Sequence, residues 1–164
     1  MEPVRVVALV LATLTMGLIA GLFYAYACSV MLALGKTDDR VFIEVMQRVN
    51  SSIQNGWFAL SFIGAALFTA ASVVLNIGSG NTGRLVLVSV ALVLYLVAFG
   101  ITVRGNIPLN VQLDAAGPAA RIADPAAARA RFERPWVRLH LARTLFTIGA
   151  FVVLCVALAG PVGD

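Results

Sequence analysis

The sequence is poor in the groups that usually carry chemistry. It has one histidine and two cysteines, and charged residues make up only 12% of it. No Asp or Glu lies inside any of its long apolar stretches. A di-metal carboxylate centre in a helix bundle needs several inward Glu residues, so that absence argues against one. One histidine with two cysteines is too small a ligand set for zinc, and one histidine cannot give bis-histidine haem within a chain. Cys28 and Cys155 fall near opposite ends of the apolar segments, which puts a disulfide between them out of reach. No Gly-rich dinucleotide fingerprint or phosphate loop is present. These gaps predict a protein with no metal and no cofactor. Imidazole, guanidinium, amide and phenol groups are left for acid–base and electrostatic work.

Apolar surface is what the chain has in plenty. Hydrophobic residues make up 60% of the sequence and mean hydropathy is +0.93, whereas a soluble domain carries roughly twice this charged fraction. Val6–Leu34, Ile53–Ile77, Leu85–Val103 and Trp136–Ala159 each reach the roughly 20 residues needed to span a bilayer core. They do not alternate polar and apolar at period two, which rules out barrel strands. The expected fold is all-α: an integral membrane four-helix bundle, one domain over residues 1–164, with a short amphipathic helix in the third loop. Helices are expected over residues 6–34, 53–77, 85–104 and 136–159.

Lys36, Arg40 and Arg48 mark the first loop, and Arg104, Arg121, Arg129, Arg131, Arg134, Arg138 and Arg143 the third loop and its flanks. Only Arg5 and Arg84 lie on the other side. Both long loops are therefore expected in the cytoplasm and both termini outside, as for a bacterial cytoplasmic membrane protein. This asymmetry suits anionic membrane lipid, and nothing in it calls for nucleic acid. Ala25-Tyr26-Ala27 resembles a signal-peptide cleavage site, but the apolar run before it is too long for an h-region.

Gly17, Gly21, Ala25, Ser29 and Ala33 recur at every fourth position of the first helix. That stripe suits close helix packing inside the bundle or a homo-oligomer seam. In the first loop Asp38 and Asp39 favour a helix start, and Phe42, Val45, Met46 and Val49 recur at helical spacing, as in an interfacial segment. This helix is expected to run on into the second span, carrying Gln47, Asn50, Gln54 and Ser61 along one face. Gln47 and Asn50 suit a solvated face, whereas Gln54 sits where the apolar run begins. In the third loop Asp124-Pro125 predicts a short solvated helix to Glu133 that includes Arg129, and Pro135 predicts the start of the fourth span.

The third span is expected to stop at Gly105-Asn106-Ile107-Pro108-Leu109-Asn110, because Pro108 lacks an N–H and Gly105 tolerates unusual dihedrals. In the fourth span Trp136, His140, Arg143 and Thr147 share one face. Arg143 lies about two turns inside the apolar stretch, where a charge is costly unless paired. Folded as an antiparallel bundle, the chain brings Tyr24, Tyr26, Asn50, Gln54, Trp57, Arg104, Asn106, Asn110, Trp136, His140 and Arg143 to one end. That is a pocket at the loop end of the bundle, with Arg143 held by the amides of the Asn106–Asn110 stretch.

Four elements together resemble the anthrone-oxygenase-like family of small membrane proteins. They are Phe23-Tyr24-Ala25-Tyr26, the Met46-Gln47-x-x-Asn50-x-x-Ile53-x-Asn55 run, Gly105-Asn106-x-Pro108-Leu109-Asn110, and Trp136 with Arg143. The resemblance implies a four-helix membrane protein. It further implies oxidation of polycyclic anthrones to anthraquinones by molecular oxygen, without a recognised cofactor. On that basis His140 is the expected base, and Arg143, Asn106 and Asn110 the oxyanion partners. Tyr24, Tyr26, Asn50, Gln54, Trp57, Arg104 and Trp136 would bind the flat apolar aromatic substrate. The competing class is a non-enzymatic membrane scaffold or lipid-binding subunit, in which Arg143 and Arg104 grip lipid phosphates. A transporter fits poorly, with four helices and no inverted repeat.

Overall fold

The computed structural model describes residues 1–160. Within them the chain forms α1 (Glu2–Leu34), α2 (Asp39–Ser52), α3 (Gly56–Asn76), α4 (Thr82–Ala115) and α5 (Pro125–Ala159), with a 3₁₀ turn at Ala119–Arg121. α1, α3, α4 and α5 are long and apolar enough to cross a membrane. Their outward faces carry large apolar side chains such as Leu18, Leu67, Val93 and Leu145. Only a lipid environment receives such a surface without penalty, so the protein is an all-α integral membrane bundle.

Two cores fill it. Between the four spans lie Leu9, Ala12, Met16, Ala65, Val88, Ala91, Tyr95, Ala150 and Leu154, all buried. Alanines at the crossings let the backbones approach closely. At the loop end α2 packs Phe42, Ile43 and Met46 onto Leu113, Ile122, Phe132 and Trp136. Polar ties hold this second core. Arg40 donates to the carbonyls of Ala119 and Ile122, and Gln47 Nε2 to those of Leu113 and Gly117 at 3.0 and 2.9 Å. Arg129 bridges Asp39 and Glu133 and also donates to the carbonyls of Gly35 and Thr37.

Several local expectations are corrected. α2 is not an interfacial segment, because its apolar face is covered by protein, and Gln47 and Asn50 are not on a solvated face. It does not run on into α3: the helix stops at Ser52, and Asn55 caps α3 by accepting from the Phe58 N–H at 3.1 Å. Arg129 is a largely buried clasp rather than a solvated loop charge. The third span does not end at Gly105–Asn110. A π-helical turn over Thr102–Asn106 resets the register, so Pro108 falls in the first turn of the next α segment, where its missing N–H costs little. Gly105 is helical, and its role is close approach: a Cβ there would meet Leu139 Cδ1 at 2.7 Å. Residues 125–133 are helical as expected, but they are the opening turns of α5, which continues through Pro135. The carbonyl that Pro135 leaves without a donor belongs to Arg131, an exposed residue that water can reach. Of the small-residue stripe, Gly17 packs against Phe151, while Gly21, Ala25, Ser29 and Ala33 are exposed.

Candidate functional site

A cavity of about 480 Å³ opens at the loop end, between the α2–α3 junction and the far half of α4. That volume lies in the range of small-molecule sites. α1 contributes Leu22, Phe23 and Tyr26, and α2 contributes Val49 and Asn50. Ile53, Gln54, Phe58 and Phe62 follow from the junction and α3. α4 lays down Thr102, Asn106, Asn110 and Asp114 at spacings of four, together with Ile107 and Val111. α5 contributes Trp136, His140 and Arg143.

The buried polar end is tightly wired. His140 is sealed, its ring stacked on Trp136 at 4.8 Å between centroids. Nε2 lies 3.0 Å from the Phe23 carbonyl, which can only accept, so Nε2 carries the proton. Nδ1 then presents its lone pair to Arg143, whose Nε and Nη2 lie 3.2 and 3.1 Å away. Arg143 Nη1 donates to Thr102 Oγ1 at 3.2 Å, and the guanidinium sits 4.1 Å over the Phe23 ring. No Asp or Glu among the described residues forms a salt bridge with Arg143. A cation buried in the bilayer costs roughly 3 kcal/mol or more. Here an imidazole, a hydroxyl and two aromatic faces offset part of that cost, and no anion does.

Asn106 Nδ2 donates to the Trp136 carbonyl at 3.2 Å, and Trp136 Nε1 donates to Asn110 Oδ1 at 2.8 Å. The amides therefore hold Trp136 rather than Arg143, which corrects the expected role of the Asn106–Asn110 stretch. Asn106 Oδ1 and Asn50 Nδ2 are buried without a hydrogen-bond partner. Leaving such groups unpaired costs about 1–3 kcal/mol each. Both belong to cavity-lining side chains, where a polar ligand can supply the missing partner.

The structure brings Tyr26, Asn50, Gln54, Asn106, Asn110, Trp136, His140 and Arg143 to this one cavity. It leaves Tyr24, Trp57 and Arg104 outside it: all three are exposed, Trp57 to 82%. Each sits on the outer face of its helix, one or two positions away from an inward residue. The expectation of His140 as a free base also changes, because its only lone pair already receives a guanidinium. Thr102, Phe58, Phe62 and Asp114 were missed, although spacings of four and eight from Asn106, Gln54 and Asn110 were the available signal. For the Phe23 carbonyl the sequence holds no signal.

A buried cation and two asparagines bound to Trp136, set at the closed end of a largely apolar cavity, define the candidate site of this membrane bundle. The family model for anthrone oxygenase matches residues 49–153, well over half of the chain, and the chain belongs to that family. No curated protein and no solved structure matches it.

Proposed function

We propose that the protein is a membrane-embedded, cofactor-independent oxygenase that converts an anthrone-type polycyclic aromatic into the corresponding quinone with molecular oxygen. One observation carries this reading: Arg143 is buried in a largely apolar cavity, and no carboxylate among the described residues forms a salt bridge with it. Such a site favours a ligand in its anionic form, and an anthrone that has lost a methylene proton is a flat, delocalised anion. Arg143 receives the anion's oxygen through N–H groups not used by His140 and Thr102, and His140 orients Arg143. Phe23, Phe62 and Trp136 offer faces and edges to the rings. The departing proton leaves toward the mouth, where Asp114 is the one lining carboxylate among the described residues.

The anion then gives electrons to oxygen. Atoms balance without a further reductant: the ring CH₂ and O₂ become a ring C=O and H₂O, with one oxygen atom in each. The test is turnover of an anthrone by purified protein in lipid nanodiscs under ¹⁸O₂, followed by mass spectrometry. One ¹⁸O per quinone above the spontaneous rate is expected, in protein stripped of metal by chelation. A rate equal to empty nanodiscs, or activity lost on chelation and restored by one metal, would reject the reading.

A further inference from the structure

The cavity is closed on most sides. Phe58 and Phe62 form its floor, stacked 5.2 Å apart, and Phe99 backs Phe62 at 4.7 Å. α2 roofs it at the loop end, pinned by the two bonds of Gln47 to the α4 carboxyl-terminal region. Of the lining side chains only Gln54, Ile107, Val111 and Asp114 are exposed. Gln54 sits in the α2–α3 junction, and the other three follow one another along a single face of α4 at spacings of four and three. The opening is therefore a slot in the side of the bundle, running along α4. Its edge is apolar at Ile107 and Val111, which are 45% and 60% exposed, and polar at Asp114 and Gln54.

We propose that this slot is a lateral portal, through which a flat phenolic aromatic dissolved in the membrane moves sideways into the cavity. The proposal rests on the ligand class argued above and adds the route. An amphipathic aromatic settles at the boundary between acyl chains and headgroups, its rings in the apolar side and its hydroxyl toward water. The slot presents the same gradient, from Ile107 to Asp114. A lipid acyl chain in the slot would leave Asn50 Nδ2 and Asn106 Oδ1 unpaired and offer Arg143 no anion, so the occupant carries oxygen on a flat apolar frame. Entry through the roof would need α2 to lift, breaking the Gln47 bonds and exposing Phe42, Ile43 and Met46.

The probe is 1,8-dihydroxyanthraquinone, followed by its fluorescence in stopped flow with the protein in phosphatidylcholine nanodiscs. The association rate is expected to follow the probe-to-lipid ratio, not the aqueous probe concentration. Ile107→Trp and Val111→Trp narrow the slot and should slow association and dissociation together by roughly tenfold, keeping Kd within about twofold. Val103→Trp changes an exposed position of the same helix outside the lining and should leave both rates alone. Ile107→Ala and Val111→Ala should speed both rates, so the test does not depend on the tryptophan variants folding. Rates that follow aqueous probe, or that no slot variant changes, would overturn the portal while leaving the ligand reading intact. No probe binding by the unaltered protein would overturn both.

Discussion

The two ends of this bundle are built from the same four helices and filled in opposite ways. At the end away from the long loops the crossings are made by Ala12, Ala65, Ala91 and Ala150, all fully buried, and the hydroxyls of Thr15 and Thr69 bond back to their own helices. At the loop end the helices are held apart around about 480 Å³ of space. The two π-helical turns, Tyr26–Val30 and Thr102–Asn106, both fall at this end, and Tyr26, Thr102 and Asn106 line the cavity. A widened turn shifts the register of everything after it, and that is how α4 keeps Asn106, Asn110 and Asp114 facing inward past the apolar core. Ser72 and Asn76 also carry buried polar atoms without partners, but neither lines this cavity. An orphaned polar atom marks a candidate ligand site where space adjoins it. The difference teaches that close packing and open space compete for the same helix faces, and that small alanines at the crossings favour the first.

The sharpest way to break that contrast is to remove the buried cation. Arg143→Ala should lower anthrone turnover by about a hundredfold or more, the scale of losing a donor to a developing oxyanion. Arg131→Ala removes the same charge from an exposed position of the same helix and should leave the rate unchanged. Equal small effects of the two would dissolve the distinction between the ends.

His140 sharpens it further. His140→Asn keeps an acceptor near the place of Nδ1 and should retain most activity. His140→Phe keeps the stack on Trp136 but offers Arg143 nothing, and should lose roughly tenfold, the worth of a hydrogen bond to a charged group. Were His140 instead a base, both variants would be equally inactive and one ionisation would vanish from the pH profile of kcat/KM.

The closed end yields the smallest functional effect. Ala65→Leu inserts volume where no space exists and should destabilise the bundle by about 2 kcal/mol. Thermal unfolding in nanodiscs measures that loss, and the affinity for dihydroxyanthraquinone should not move. Weakened binding with unchanged stability would mean that the two ends are not independent.

By itself the sequence determined the membrane class, the four spans and the level at which polar groups gather. Those follow from composition and helical spacing, which are local: apolar length sets a span, and Trp136, His140 and Arg143 share a face whatever surrounds them. Tertiary structure decided the rest. Pro108 and Pro135 read as ends of helices, yet a π turn and an exposed carbonyl let both helices continue. The short helix of the first loop became a roof because Phe42, Ile43 and Met46 found a protein surface rather than lipid. Arg143 was visible as a misplaced charge, but its partners were not. The Phe23 carbonyl sets the tautomer of His140, and His140 thereby receives Arg143, across a separation of more than a hundred residues. A backbone carbonyl leaves no trace in a sequence, and only packing brings it to a ring.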